Sequence, residues 1–292
     1  MRLAKIEIVL GAACNNNCLF CSVHKSRNFK QLEQVKKEVI SAKGRAEEIC
    51  FTGGEPTIRK DIFEIVHFAK EQGFQKISVT TNGRMFSDKN FTEQMLESGL
   101  NSAIFSIHGA DKETHDFLTQ VNGCFSELMQ GIKNFKEKGG EIRANIVINA
   151  LNFKQLPAIV KKVLAFKPKM FCLIFPSIDG NLSQNKHLVP AYSKTAPYLL
   201  KAIEIAEKGS AGVWALNVPP CIIPQKADNT VCELKTEVYW FEGKTSLDKQ
   251  ILKGKKKLAE CKKCILEKKC FGVEKAYLKE KGENEFKAIK GK

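Results

Sequence analysis

The chain has 292 residues, 43% of them apolar, and a formal charge of +15 carried mostly by lysine. No run approaches the roughly 20 apolar residues that span a bilayer, and an odd count of 11 cysteines at irregular spacing argues against a disulfide framework. The expectation is therefore a soluble, cytoplasmic chain in a reducing compartment, because the apolar run before Cys14 is too short and interrupted for a signal sequence. The lysines are spread along the chain and read mainly as solvated helix faces, although a basic surface also attracts RNA or acidic peptides.

In chain order, "KIEIVLGA" (5–12) predicts a strand and "RNFKQLEQVKKEVISAK" (27–43) an amphipathic helix. "EEICFTGG" predicts a second strand, and "IRKDIFEIVHFAKEQG" a helix ended by Gly73. "QKISVTTNG" is a third strand, followed by a helix with Ser87 as N-cap and Gly99 at its end. "NSAIFSIHG" with helix 123–138, "EIRANIVINA" with helix 152–167, and "KMFCLIFPS" with helix 192–208 complete six strand–helix units. Such units give a parallel sheet covered by helices, so the expected fold class is α/β, as a partial (β/α)6 TIM-type barrel or an open doubly wound sheet. Active sites in such folds lie at the C-terminal ends of the strands. Cysteines or polar and glycine-rich stretches follow each predicted strand.

Side chains alternate along a strand, which puts Arg143, Asn145, Val147 and Asn149 on one face. Ser102, Ile104, Ser106 and His108 share another, as do Ser78, Thr80 and Asn82. Polar faces on buried parallel strands are abnormal and suggest a pocket for a polar ligand.

The first chemical motif is "CNNNCLFC", with Cys14, Cys18 and Cys21 on the loop after the first strand. Three thiolates can hold three corners of an iron–sulfur cluster and leave one iron open for a ligand. The competing reading is a zinc site completed by His24.

Cys14-x3-Cys18-x2-Cys21 with Phe20 before the last cysteine, then "FTGGEP" (51–56) and "TTNG" (80–83), resembles the radical S-adenosylmethionine (SAM) enzymes over roughly residues 5–180. The resemblance implies that Cys14, Cys18 and Cys21 hold a [4Fe–4S] cluster whose open iron takes SAM. It implies that Gly53, Gly54 and Glu55 receive the amino group of SAM, that Pro56 fixes the turn, and that Phe20 lies near the adenine. Ser106 and Asn149 stand where ribose contacts are expected. The activity implied is reductive cleavage of SAM to a 5′-deoxyadenosyl radical that abstracts hydrogen from a substrate, with a ferredoxin or flavodoxin as electron donor.

After about residue 210 the strand–helix alternation stops, and residues 212–292 read as a loop-rich, cysteine-rich module appended to a core of residues 1–211. Cys261-x2-Cys264-x5-Cys270 resembles part of the auxiliary-cluster region of the SPASM and Twitch extensions of the same family. The cysteines that complete a full SPASM pattern are missing, so one further [4Fe–4S] cluster is expected, with Cys221 or Cys232 as fourth ligand. Cys221 is favoured by the rigid turn of Pro219 and Pro220. Zinc on the same ligands is the alternative. Cys50, Cys124 and Cys172 read as buried apolar fillers. His108 is placed at the pocket mouth, His115 is read as shaping the loop after strand 4, and Asp179 and Asn181 either face substrate or build a turn.

The functional expectation is a radical SAM enzyme acting on a peptide or small molecule, in peptide maturation or cofactor biosynthesis, with no membrane partner. RNA modification, or a non-enzymatic iron–sulfur or zinc protein that binds RNA or transfers electrons, is the alternative.

Overall fold

The computed structural model describes residues 3–23 and 28–291; His24 lies outside the described residues. Its main sheet has nine strands in the order β7-β6-β5-β4-β3-β2-β1-β8-β9. The strands are β1 (Leu3–Val9), β2 (Ala46–Thr52), β3 (Lys76–Thr81), β4 (Ser102–Ser106), β5 (Glu141–Val147), β6 (Met170–Ile174), β7 (Gly212–Leu216), β8 (Thr236–Trp240) and β9 (Gly243–Ser246). All neighbours pair in parallel except β8 with β9. The order is linear, so the fold is a partial TIM barrel with β7 and β9 at its edges.

Helices α1 (Leu32–Ala42), α2 (Ile62–Glu71), α3 (Lys89–Glu97), α4 (Lys112–Thr119), α5 (Cys124–Glu137), α6 (Leu156–Leu164) and α7 (Tyr192–Lys208) fill the crossovers. The C-terminal part adds α8 (Leu247–Lys253), α9 (Lys275–Lys281) and a two-stranded ribbon of β10 (Lys255–Lys256) and β11 (Val273–Glu274).

The sheet extends past the six expected units and past residue 211. "GVWAL" (212–216) begins with glycine and is only five residues long, which is why it reads as loop in sequence, yet it pairs with β6 through five register positions. β8 pairs with β1 at the other end of the array. Residues 217–235, which carry Cys221 and Cys232, therefore link the two ends of the sheet. One cap also differs. Asp88, not Ser87, caps α3, because its carboxylate accepts from the N–H groups of Asn90 and Phe91 while the Ser87 hydroxyl donates to the Arg84 carbonyl.

Burial alternates residue by residue along β5 and β6, whereas β2, β3 and β4 are buried over most of both faces. Ile6, Ile8, Ile49, Phe51, Ile77, Val79, Phe105, Ala144, Ile146, Phe171 and Leu173 are buried in one hydrophobic core. Phe86 anchors it on the α5 side, with T-shaped contacts to Phe105 at 5.7 Å and Phe135 at 5.3 Å.

The opposite, polar face is not all available to a ligand. At its N-terminal end Arg143 makes a bidentate pair with Glu48 (2.5 and 3.1 Å), Ser78 donates to the same carboxylate, and Arg143 Nε donates to Ser102. Arg143, Ser78 and Ser102 thus belong to an internal network. Only the C-terminal halves of these strands are left to line a pocket.

Glu48 is 6% exposed. Burial acts to raise its carboxyl, but the Arg143 guanidinium and the Ser78 hydroxyl outweigh it and hold the group below the ordinary carboxylate range. Removing one partner of a buried pair leaves an uncompensated charge, so Arg143→Met is expected to cost about 3–5 kcal/mol in urea unfolding. Glu48→Leu together with Arg143→Met should recover most of that loss. Because the folded carboxyl titrates below the unfolded one, its contribution is complete above the unfolded value of about 4.3 and is lost as pH falls through the folded value. The stability gap between the native chain and Glu48→Gln should therefore narrow in acid.

Candidate functional site

A cavity of about 310 Å³ opens at the C-terminal ends of the parallel strands. Every strand from β1 to β7 contributes, because polar residues are tolerated where strands give way to loops and the chain can turn inward. After β1 come Cys14, Cys18, Phe20 and Cys21, and after β2 Gly53, Gly54 and Glu55. β3 and β4 supply Thr80, Thr81, Asn82, Ser106 and His108, and β5 to β7 supply Asn145, Val147, Ile174, Ser177 and Asn217.

The three-cysteine loop is held by backbone contacts on two sides. Gly54 N–H donates to the Gly11 carbonyl and Glu55 N–H to the Ala13 carbonyl, each at 2.8 Å. From the other side the C-terminal end of α4 accepts the loop amides: Asn17 N–H bonds the Thr119 carbonyl at 2.9 Å and Leu19 N–H the Leu118 carbonyl at 3.0 Å. The asparagines between the cysteines are anchors. Arg84 Nη1 donates to the Asn15 carbonyl (2.7 Å) and to Asn16 Oδ1 (3.1 Å), and Asn82 Nδ2 donates to Asn15 Oδ1 (2.6 Å). Asn16 N–H points at Cys14 Sγ (3.4 Å).

Gly53 and Gly54 are required by packing. A Cβ on Gly53 would overlap the Gly11 carbonyl oxygen, and one on Gly54 the Ala13 carbonyl oxygen; Gly53 also sits at φ +133°. Their close approach is thus to the backbone leading into Cys14. Among the described residues nothing donates to the carbonyls of Gly53 and Gly54, which leaves two acceptors at the cavity wall.

Glu55 is 1% exposed. Its Oε1 accepts from the Thr57 N–H, the Thr57 hydroxyl and the Thr81 hydroxyl, and its Oε2 from the Asn82 N–H at 2.6 Å. Burial pushes the carboxyl above its ordinary range against the pull of these donors. Pro56 starts the short 3-10 turn that presents Thr57 and does not line the cavity.

Phe20 and His108 form one wall, edge to face at 4.6 Å. His108 Nδ1 accepts from the Val147 N–H at 3.4 Å, so the ring proton of the neutral form sits on Nε2. Burial, then the neighbouring His115, keeps this imidazole uncharged well below its usual titration range. His115 accepts the His108 backbone N–H and shapes the loop.

Asn149 is the expected site residue that the fold takes elsewhere. It is fully buried; its Oδ1 accepts from Leu151 and Asn152, and its amide lies against the Val147 carbonyl in the turn after β5. Asn145, four residues earlier on the same face, lines the cavity instead. Asn217 and Arg84 were also missed. The signal for Asn217 was a short apolar run ending in a polar residue; for Arg84 it was a lone cation directly after "TTNG".

A second cavity lies among the C-terminal elements and is lined by Cys221, Cys261, Cys264 and Cys270 with Pro219, Pro220 and Phe286. Cys232 lines an adjoining cavity, together with Cys270. Backbone N–H groups are aimed at two of the sulfurs, Leu258 at Cys261 (3.3 Å) and Gly272 at Cys270 (3.2 Å). Burial and then the nearby thiols of Cys270, Cys261 and Cys264 push Cys221 up to about 12, so this group of thiols suits an added positive charge. The thiols ring a space instead of meeting at a point: among the described residues no three His, Cys, Asp or Glu side chains converge at single-ion spacing. Cys124 is not a simple apolar filler, since its thiol bonds Thr119 and Asp116.

Comparison with known proteins places this geometry. Residues 8–163 match the family model described as "Radical SAM superfamily". A protein of Saccharolobus solfataricus named "Probable GTP 3′,8-cyclase" is 31% identical over 155 residues, 51% of this chain and 49% of that protein. The chain thus spans about half the length of this curated relative. Among solved structures, Streptococcus suis SuiB bound to S-adenosylmethionine aligns with TM-score 0.72 and 16% identity, over 99% of this chain and 76% of that one. Native anSMEcpe with bound AdoMet and Cp18Cys peptide aligns with TM-score 0.66 and 18% identity, over 98% of this chain and 93% of that one. With its matched half running from the first strand through the sixth helix, the chain belongs to the Radical SAM superfamily, whose members use a [4Fe–4S] cluster and S-adenosylmethionine.

Proposed function

We propose that this chain is a cytoplasmic radical SAM enzyme that acts on a peptide, with Cys14, Cys18 and Cys21 as ligands of a [4Fe–4S] cluster. The observation that carries the reading is that the three thiols of one loop share a cavity with the free carbonyls of Gly53 and Gly54 and with Glu55. The donor set fits the group. Soft thiolates suit iron, and two carbonyls beside a carboxylate suit an ammonium. The chemistry supplied by the bound pair is reductive cleavage of SAM to a 5′-deoxyadenosyl radical able to take hydrogen from a C–H bond.

The residues of this chain bind and shield. Gly53, Gly54 and Glu55 receive the amino group of SAM, and Glu55 keeps lone-pair capacity on Oε2, where one donor is already bound. Pro56 sets the turn. Phe20 and the neutral His108 wall the adenine, and Ser106 takes a ribose contact. Asn145 replaces Asn149 in that role because Asn149 is spent in its turn. Phe20, Val147, Ile174 and Pro176 give the cavity apolar walls that exclude water.

Residues 212–292 act in this reading as a Twitch-like module on a core of residues 1–211, although β7 to β9 join the core sheet. Cys221, Cys261, Cys264 and Cys270 hold a second [4Fe–4S] cluster, a reading supported by four thiols around one cavity. A ferredoxin or flavodoxin supplies the electron. A peptide substrate is favoured because the peptide-bound neighbour aligns over 98% of the chain, C-terminal residues included. The cyclase relative, which favours cofactor biosynthesis, matches only 51% of it.

Anaerobically reconstituted protein given dithionite and SAM is expected to release 5′-deoxyadenosine, and Cys14→Ala should fall to the no-protein background. Equal yields from both would sink the enzyme reading. With candidate peptides from neighbouring genes, a change in peptide mass is expected; a change in GTP and in no peptide would favour the cofactor reading.

Iron analysis tests the second centre separately. About eight irons and eight sulfides per chain are expected, falling to about four of each in Cys261→Ser/Cys264→Ser. Four irons with one zinc in the unaltered chain would replace the second cluster with a zinc site.

A further inference from the structure

The segment between β6 and α7 touches both cysteine groups. Asn181 N–H donates to the Cys21 carbonyl at 2.8 Å, and Asn181 Nδ2 to the Cys18 carbonyl, also at 2.8 Å. Asn185 Nδ2 donates to the Leu19 carbonyl at 3.2 Å. Three carbonyls of the metal-binding loop, those of Cys18, Leu19 and Cys21, are thus gripped by a segment more than 150 residues away in sequence. The approach depends on Gly180, at φ +51°, where a Cβ would come within 2.5 Å of the Cys21 carbonyl oxygen.

The other flank of the segment is tied to the C-terminal elements. Ile178 N–H donates to Glu274 Oε1 at 3.0 Å, and Lys186 pairs with Glu280 at 2.5 Å. Glu274 ends β11, which follows directly on the turn after Cys270, where Gly272 N–H bonds the Cys270 sulfur. β11 pairs with β10, just ahead of Cys261. A continuous chain of bonds therefore runs from Cys270 through Gly272, Glu274 and Ile178 to Asn181 and the carbonyls of Cys18 and Cys21.

We propose that Asn181 and Asn185 are positioning residues for the Cys14–Cys21 loop, and that residues 178–185 carry the state of the C-terminal cysteine site to that loop. The inference rests on the reading that both cysteine groups hold metal centres. A loop with three thiolate ligands must hold its sulfurs at fixed separations. The α4 end fixes the loop amides, and residues 181 and 185 fix its carbonyls, so neither alone constrains the peptide planes. When the C-terminal site loses its metal, β11 and Glu274 lose their anchor, and the grip on the carbonyls loosens.

Hydrogen exchange on the anaerobically reconstituted protein tests this without relying on turnover, using the peptide that covers residues 14–23. Asn181→Leu is expected to speed exchange of the loop amides about tenfold, with an unchanged thermal melt of the whole chain. Cys261→Ser/Cys264→Ser should have a similar effect on the same distant peptide. Combining the two should add little, because both act through one strap. Glu274→Leu should reproduce the effect and Glu274→Gln, which keeps the acceptor, should not. The reduced cluster's electron paramagnetic resonance signal on adding SAM should broaden in Asn181→Leu and stay sharp in Glu274→Gln.

The strap is overturned if the C-terminal variants change exchange only within residues 255–291, or if their effects and that of Asn181→Leu add in full. SAM cleavage by the unaltered chain separates the two ideas. Cleavage without any distant exchange effect removes the strap alone. A distant effect without cleavage keeps the strap and removes the radical SAM reading.

Discussion

The contact on which the site depends is the backbone-to-backbone seam between the ends of β1 and β2. Gly54 and Glu55 donate to Gly11 and Ala13 at 2.8 Å, an approach that a Cβ at Gly53 or Gly54 would block. This seam sets where the chain enters Cys14. It also turns Glu55 inward, where its carboxylate collects donors from Thr57, Thr81 and Asn82 and so ties the end of β3 to the same point. A buried carboxylate with fewer donors would be costly; with four it is a rigid junction of three strand ends. The stretch Gly53–Glu55 is thus structural and cavity-lining at once, through its backbone and side chain on one side and its unclaimed carbonyls on the other.

The polar strand face divides by height. Near the N-terminal ends of the strands, Glu48, Arg143, Ser78 and Ser102 satisfy each other and close the space. Toward the C-terminal ends, Thr80, Ser106, Asn145 and His108 line an open cavity. A closed ion network costs desolvation but is held by paired geometry. The open end keeps its polar groups available because ligand or water meets them. The neutral His108, fixed in one tautomer by the Val147 N–H, offers a donor without adding charge beside the thiols.

The two cysteine groups are far apart in sequence but share supports. Residues 217–235 run from the β7 edge to β8, beside β1, and bring Cys221 to Cys261, Cys264 and Cys270 on the way. The β6–α7 segment then connects that region to the first loop. The C-terminal third is therefore built into the barrel at three strands and one strap, more intimately than a change of composition at residue 212 suggests.

The core strands, their helices and the first cavity were legible because each rests on local repetition. Period-two alternation marked the lumen face of β3, β4 and β5, and glycine or asparagine marked each strand end. "CNNNCLFC", "GGEP" and "TTNG" identified three walls of the cavity because their chemistry is contained in a few neighbouring residues. β7 and β8 were not legible. They are short, and what makes them strands is pairing with β6 and with β1, partners that lie tens or hundreds of residues away. The same limit explains Asn149 and Asn145. Both have the right parity, but which one meets the cavity depends on where β5 ends and its turn begins, and there Asn149 bonds the turn. By itself, the sequence determined the class of fold and the three-cysteine loop, since local spacing and residue chemistry suffice for those, while "GGEP" was read through its resemblance to a family motif. Only the tertiary structure decided which polar residues pair off below the cavity, that Cys221 joins the C-terminal thiols, and that Asn181 grips the first loop, because each is a contact between segments whose separation in the chain carries no local signal.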